Sequence, residues 1–113
     1  MKQLAGILFF VLSLSACASD SVDIQQWAQT GVIIDTRTIE EWNSGHLEGA
    51  TLIPFDIIGA NINAVAATKE TPILLYCRSG NRAGVAEETL RNLGYTNVIN
   101  LGGMSTAKKA LDQ

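Results

Sequence analysis

The chain has 113 residues, of which 47% are hydrophobic and 17% charged, and its formal net charge is −3. This length accommodates one domain with its own core. A negative net charge without a run of basic residues argues against nucleic-acid binding, and the sequence has no internal repeat or low-complexity segment.

The first 16 residues have the pattern of an export signal. Residues 1–3 (MKQ) carry one positive side chain, and residues 4–14 form an apolar segment that is too short to span a bilayer. Residues 16–18 (ACA) match an A-x-A cleavage site, whereas residues 14–17 (LSAC) resemble a bacterial lipobox, in which Cys17 becomes the lipidated first residue. We favour the lipobox. The predicted division is a lipoprotein-type signal peptide over residues 1–16, a short linker over residues 17–21 and one folded domain over residues 22–113.

The export signal gives the two cysteines different meanings. Cleavage at the A-x-A site removes Cys17, whereas cleavage at the lipobox leaves Cys17 modified by a lipid. In both cases Cys77 is the one remaining thiol in an oxidising compartment, the bacterial periplasm. If Cys17 is lipidated, Ala18 rather than aspartate follows it, which favours the outer membrane. The protein is then expected to contact a membrane only through the lipid on Cys17. We expect a monomer, because the sequence shows no coiled-coil pattern or exposed apolar stripe.

Helical and strand patterns alternate along residues 22–113. Ser21 is a candidate N-cap for a helix over residues 22–29, and the β-branched run at 32–34 is typical of a strand buried on both faces. Thr38 and Glu41 have capping-box spacing for a short helix. Further strands are predicted over residues 51–53, 73–76 and 98–99, and further helices over residues 55–68, 82–93 and 105–111.

This alternation predicts an α/β fold with a mainly parallel central sheet and helices on both faces. Ligands of such sheets bind at the carboxyl ends of strands. Residues 35–37 and 77–82 both follow predicted strands, so we expect them to meet at one edge of the sheet. Asp35 is predicted to be structural and to accept loop N–H groups, and Arg37 is expected to pair with Glu41 four residues later.

The segment after the third strand carries the chemistry. Cys77 begins a small, polar loop that leads into a helix, where unpaired N–H groups and the helix dipole favour an anion or a thiolate. Cys77 is therefore a candidate nucleophile. The alternative, an inert buried cysteine, fits poorly with the polar residues that follow it.

The length of this loop narrows the chemistry. Cys77 and Arg82 are separated by four residues, one fewer than in the C-x5-R loop of cysteine-dependent phosphatases. The shorter loop makes a tighter cradle, which suits a sulfur atom on the cysteine better than a phosphoryl group. The backbone N–H groups of residues 78–82 are its expected donors. A phosphatase or an arsenate reductase is therefore the disfavoured alternative.

The loop and several flanking segments together resemble one family. Residues 77–83 (CRSGNRA) resemble the active-site loop of rhodanese domains, which are thiosulfate sulfurtransferases. The likeness covers residues 32–104 in the order of the family's motifs, and the other matching segments are 34–37 (IDTR), 41–50 (EWNSGHLEGA), 52–54 (LIP), 93–95 (LGY) and 101–104 (LGGM). One departure is the absence of a tryptophan from residues 105–110, which affects the docking of the last helix rather than the chemistry.

The resemblance implies a rhodanese-like fold and a Cys77 persulfide that passes sulfur from thiosulfate, or a similar donor, to cyanide or a thiol. The implied sulfur transfer needs no metal or organic cofactor. Arg82 is the first candidate to bind the donor, although a structural pairing of Arg82 is the open alternative. The other candidate substrate-binding residues are Arg78, Ser79, Gly80 and Asn81, and Asp35 and Arg37 are the candidate structural supports.

A histidine, two tryptophans and a double glycine lie outside the active-site loop. His46 is the only histidine and invites a general-base role, but the resemblance places it in a turn segment, away from the active-site loop. Trp27 and Trp42 are predicted to be packing residues, and residues 102–103 to form a tight turn near the loop. A non-catalytic persulfide carrier or sensor is the alternative function from another class.

Overall fold

One four-stranded sheet lies at the centre of the computed structural model, which describes residues 22–113. The predicted signal peptide and Cys17 lie outside the described residues. All three strand pairings are parallel, which confirms the predicted sheet. The strands are β1 (Val32–Asp35), β2 (Ala50–Leu52), β3 (Ile73–Cys77) and β4 (Val98–Gly103), in the spatial order β2-β1-β3-β4.

Helices cover both faces of this sheet. Along β3, Ile73, Leu75 and Cys77 belong to one buried apolar cluster, whereas Leu74 and Tyr76 belong to the other. This alternation is the two-residue period of a strand, and it directs Cys77 to the face that the long fourth helix covers. The helices are α1 (Ile24–Thr30), α2 (Ile39–Asn43), α3 (Ile58–Asn61), α4 (Asn81–Asn92) and α5 (Met104–Ala110).

The predicted helix over residues 55–68 is wrong in length and continuity. Only α3 is α-helical there, and it lies between two 3₁₀ turns, Phe55–Ile57 and Ile62–Ala64. Gly59 and Asn61 have low helix propensity, which explains why no long α-helix forms. The buried Ile58 and Ile62 nevertheless hold the segment against the core.

Other boundaries also differ from the predictions, and two of them differ by two residues or more. The side chain of Asp23 accepts the N–H of Gln26 at 3.1 Å, so Asp23 is the N-cap of α1 and the helix begins two residues later than predicted. Strand β4 extends beyond Ile99 to Gly103, because Gly103 pairs with Cys77 after an irregularity in the β3–β4 register.

No helix within residues 22–113 combines the length and the apolar character that crossing a membrane requires.

Candidate active site

Cys77 is the last residue of β3, and its thiol lies at the N-terminus of α4. Its Sγ accepts the backbone N–H of Gly80 at 2.8 Å and that of Ala83 at 3.4 Å, and the residue is fully buried. Gly80 belongs to the predicted donor segment, and Ala83 lies one residue beyond it. The loop therefore directs two main-chain donors at sulfur, an arrangement that stabilises negative charge on this atom.

The conformation of Gly80 requires glycine. Its φ is +101°, in the left-handed region that residues with a Cβ rarely adopt. An added Cβ would also lie 3.3 Å from the Cα of Gly102. The loop can therefore turn sharply enough to bring the Gly80 N–H back to Sγ.

The carboxyl end of β4 supports this loop from the side. Gly103 forms an isolated bridge with Ser79, and a Cβ on Gly103 would lie 2.6 Å from the carbonyl oxygen of Arg78. The predicted proximity of residues 102–103 to the loop is confirmed, although these residues end a strand rather than form a separate turn.

Asn100 connects β4 to the loop through its side chain. Its Nδ2 donates to the carbonyl oxygen of Gly80 at 3.0 Å, and its Oδ1 accepts the N–H of Gly102 at 2.8 Å. The sequence prediction missed Asn100. The available signal was a polar residue inside an otherwise apolar strand pattern, two residues before the double glycine.

Arg82 pairs with Glu41 of α2. Its Nη1 lies 2.7 Å from Oε1 and its Nη2 lies 3.0 Å from Oε2, a two-point contact. These hydrogen bonds, followed by the N–H of Thr38, lower the pKa of Glu41 to about 2. The same carboxylate raises the pKa of Arg82. The structure thus places Arg82 at the loop, with its guanidinium already held by a carboxylate.

The predicted pair between Arg37 and Glu41 is wrong. The capping box of Thr38 and Glu41 is confirmed, and it starts α2 at Ile39, so Arg37 precedes the helix instead of lying on it. Arg37 turns back to the edge of the sheet, where its Nη2 donates to Asp35 Oδ2 at 2.7 Å and to the carbonyl oxygen of Gly45, also at 2.7 Å.

Asp35 is the centre of a buried polar cluster beside the loop. It accepts the backbone N–H of Arg37 at 2.9 Å and the hydroxyl of Tyr76 at 2.8 Å. The Tyr76 hydroxyl in turn accepts the N–H of Leu47 at 3.0 Å. Burial is the main cause that raises the pKa of Tyr76 to about 12, while the hydrogen bond to Asp35 raises the pKa of Arg37. These contacts fit the predicted structural roles of Asp35 and Arg37.

The remaining loop side chains are open to solvent. Arg78, Ser79 and Asn81 are exposed, and Gly80 is partly buried. Within residues 22–113, Arg78 forms no ion pair. Its charge is therefore available to a solute near the loop, in contrast to the charge of Arg82.

His46 lies outside the group of residues that contact Cys77. Its ring stacks on Trp42, with centroids 3.5 Å apart and planes 5° apart, and its Nδ1 lies 3.1 Å from the carbonyl oxygen of Leu47. His46 also lines a cavity of about 310 Å³ to which none of residues 77–82 contributes. In the part of the chain that the structure describes, no group of three His, Cys, Asp or Glu residues is arranged to hold a metal ion.

Comparison with known proteins agrees with this geometry. The family model of the rhodanese-like domain matches residues 19–110. The thiosulfate sulfurtransferase PspE of Escherichia coli is 35% identical over 71 residues, which are 63% of this chain and 68% of PspE. MoeZ of Mycobacterium tuberculosis, named a probable adenylyltransferase/sulfurtransferase, is 27% identical over 84 residues, which are 72% of this chain but 21% of the longer MoeZ.

A solved structure gives the same assignment. A rhodanese with anions from E. coli matches with a TM-score of 0.65 and 33% identity, over 67% of this chain and 89% of that chain. The family model covers most of the sequence, and the matched segment includes β3, the Cys77 loop and α4. This chain therefore belongs to the family of rhodanese-like sulfurtransferases.

Proposed function

We propose that this protein is a thiosulfate sulfurtransferase that carries the transferred sulfur as a persulfide on Cys77. The observation that carries the proposal is the pair of main-chain donors, Gly80 and Ala83, directed at Sγ. Family membership supports sulfur transfer in general. The choice of thiosulfate as donor rests on the anion-favouring loop and on the similarity to PspE.

The reaction has two steps and needs no further redox partner. The Cys77 thiolate attacks the outer sulfur of thiosulfate, the sulfur–sulfur bond of thiosulfate breaks, and sulfite leaves with the bonding electron pair. An acceptor, cyanide in an assay or a thiol in the cell, then attacks the outer sulfur of the persulfide and restores the thiolate. Two separate half-reactions predict ping-pong kinetics.

The loop supports both charged forms of Cys77. The N–H groups at Sγ stabilise the thiolate, and the same donors offer contacts to the persulfide anion. Exposed Arg78 is suited to attract the donor anion, and the related E. coli rhodanese was solved with anions. Because Cys77 is fully buried, side chains around the loop must rearrange before a donor reaches Sγ.

Arg82 has a different part in this proposal. Its guanidinium is bound at two points by Glu41, so it connects α2 to the first turn of α4. A donor anion that uses Arg82 must compete with this carboxylate. We therefore assign the first electrostatic contact with the donor to Arg78, with Ser79, Gly80 and Asn81 completing the loop that surrounds the donor.

The experiment that tests the function is a thiocyanate assay on the purified full chain with thiosulfate and cyanide. We expect turnover by the wild type and by Cys17→Ser, and none by Cys77→Ser, because only Cys77 lies in the loop. Turnover that survives Cys77→Ser would refute the mechanism. A persulfide detected by mass on Cys77 without turnover would instead favour a sulfur carrier.

We also propose that the protein is exported to the bacterial periplasm and anchored there through a lipid on Cys17. The proposal rests on the pattern of residues 1–18 alone. Intact-mass analysis of the protein from an expressing bacterium tests it: a lipid-sized mass increase at Cys17 supports the anchor, and an unmodified chain that begins after residue 18 supports ordinary secretion.

A further inference from the structure

We propose that Asn100 is a positioning residue for Cys77, which acts by holding Gly80 so that its N–H points at Sγ. The proposal rests on the proposed function for its catalytic consequence, but the contact itself is independent of any sulfur donor. Asn100 does not touch the thiol. It acts through Gly80, the residue whose N–H makes the shorter of the two contacts to Sγ.

The side chain of Asn100 bridges two segments, each of which turns at a glycine. One end donates to the carbonyl oxygen of Gly80, and the other accepts the N–H of Gly102. Both glycines have positive φ values, +101° and +96°. Because glycine has more accessible backbone conformations than any other residue, each of these positions gains from an external constraint.

The contact from Asn100 adds to a helical hydrogen bond at the same carbonyl oxygen. The carbonyl oxygen of Gly80 also accepts the N–H of Gly84 at 3.0 Å, which fixes it to α4. The bond from Asn100 fixes the same oxygen to β4, so Gly80 is held between a helix and a strand. Without the bond to β4, rotation about the backbone of Gly80 can turn its N–H away from sulfur.

A second asparagine, close to Asn100 in the sequence, allows a direct test. Asn97, just before β4, donates from Nδ2 to the carbonyl oxygen of Glu70 at 2.8 Å. It makes the same type of bond as Asn100 but lies three residues away, which is about 10 Å along a strand. Asn97→Asp therefore controls for the loss of an amide-to-carbonyl bond and for the added charge.

The experiment compares Asn100→Asp, Asn100→Leu and Asn97→Asp with the wild type. Asp keeps an acceptor for Gly102 but loses the donor to Gly80, and Leu removes both contacts without adding charge. The first readout is the pH dependence of Cys77 alkylation by iodoacetamide in Cys17→Ser protein. The second is the rate of sulfite release from thiosulfate.

We expect both Asn100 variants to move the midpoint of the alkylation profile upward by about one pH unit, because a hydrogen bond to a charged acceptor is lost or weakened. The rate of sulfite release should fall by about tenfold, because a shift of one pH unit in the midpoint corresponds to a tenfold smaller thiolate population. Asn97→Asp should change neither. A looser fold alone would alter the alkylation plateau or the melting temperature, but not the midpoint.

Folded Asn100 variants with the wild-type midpoint would overturn the proposal. If the wild type releases no sulfite, the proposed function fails, yet the alkylation profile still tests Asn100. If the variants do not fold, NMR of the wild-type chain decides. Alkylation of Cys77 should then shift the side-chain amide signals of Asn100 and leave those of Asn97 unchanged. Unshifted Asn100 signals would refute the contact.

Discussion

The carboxyl ends of β1 and β3 are neighbours in the sheet, yet their chemistry differs. Asp35 lies directly opposite Tyr76 in the strand register, one residue before Cys77. The carboxylate of Asp35 is saturated by hydrogen bonds from Arg37 and Tyr76 and is buried. Cys77 is equally buried, but the hydrogen bonds to its sulfur come from main-chain N–H groups, and the adjacent Arg78 is open to solvent.

This difference shows that a place at the ligand-binding edge of a parallel sheet does not by itself make a group reactive. A buried charge whose side-chain partners are all supplied by the protein stabilises the edge. A nucleophile needs a local field that favours its anion, together with room for a substrate. The end of β1 meets the first description. At the end of β3 the main-chain N–H groups supply such a field, and movement of side chains around the loop must supply the room.

The largest effect on stability should come from breaking the hydrogen bonds of the Asp35 carboxylate at the end of β1. Asp35→Asn replaces an acceptor-only carboxylate by an amide, whose N–H₂ must face donors from Arg37 or Tyr76. Removing one partner of a buried pair costs about 3–5 kcal/mol of unfolding free energy. Urea denaturation should measure this loss, while the folded fraction of the variant should still form a Cys77 persulfide.

Glu87→Gln is the matched control for that carboxylate. Glu87 pairs with Arg91 one turn away on α4, and both side chains are substantially exposed. Removing this charge should change the unfolding free energy by less than about 0.5 kcal/mol. Equal losses for the two variants would contradict the distinction between the two strand ends.

Much of this edge was predictable from local sequence patterns. The β-branched run of β1, the apolar run of β3 and the capping box of α2 each depend on residues close together in the chain, and these elements formed as predicted. The position of Cys77 at the N-terminus of α4 also followed from its neighbours. These features are governed by short-range periodicity and capping chemistry.

The carboxylate partners of Arg37 and Arg82 were not predictable in the same way. Arg37 could reach either acidic neighbour by sequence distance, and only the start of α2 at Ile39 decides in favour of Asp35. Glu41 and Arg82 are 41 residues apart, and the bond from Asn100 to Gly80 spans 20 residues. Such contacts depend on how strands and helices come together, for which a single sequence carries little signal.

A smaller effect on stability should come from crowding the contact between β4 and the Cys77 loop. In Gly103→Ala the new Cβ would lie 2.6 Å from the carbonyl oxygen of Arg78, so the loop or the strand must shift. Overpacking of this kind costs about 1–3 kcal/mol. We also expect slower persulfide formation per folded molecule, measured in a single turnover with thiosulfate, because the loop no longer directs both N–H groups at Sγ.

Gly31→Ala is the control that crowds the backbone at a distance from the Cys77 loop. Its Cβ would lie 2.0 Å from the carbonyl oxygen of Pro72, at the opposite ends of β1 and β3 from the active loop. This variant should lose stability in thermal denaturation but keep the single-turnover rate of the wild type. A rate that falls equally in both variants would show that general loosening, not the position of the loop, controls the reaction.

Apart from the Glu87→Gln control, the smallest effect on stability should come from Glu41→Gln, which breaks the ion pair between α2 and α4. The pair of Glu41 and Arg82 is partly exposed, with 23% and 28% of the side-chain surfaces accessible, so its loss should cost about 1 kcal/mol or less at neutral pH. The sign of the pH dependence follows from the pKa of Glu41, which falls from 4.5 to about 2 on folding. Its contribution is present above pH 4.5 and is lost as the pH falls towards 2.

Denaturant titrations of the wild type and Glu41→Gln should therefore differ most above pH 4.5 and converge near pH 2. The same variant also asks whether Arg82 can act at the reactive end. With the carboxylate gone, Arg82 adds an uncompensated positive charge beside the loop, so KM for the thiosulfate dianion should fall and its dependence on salt should become steeper. An unchanged KM would mean that Arg82 serves the fold alone and that the loop N–H groups and Arg78 bind the donor.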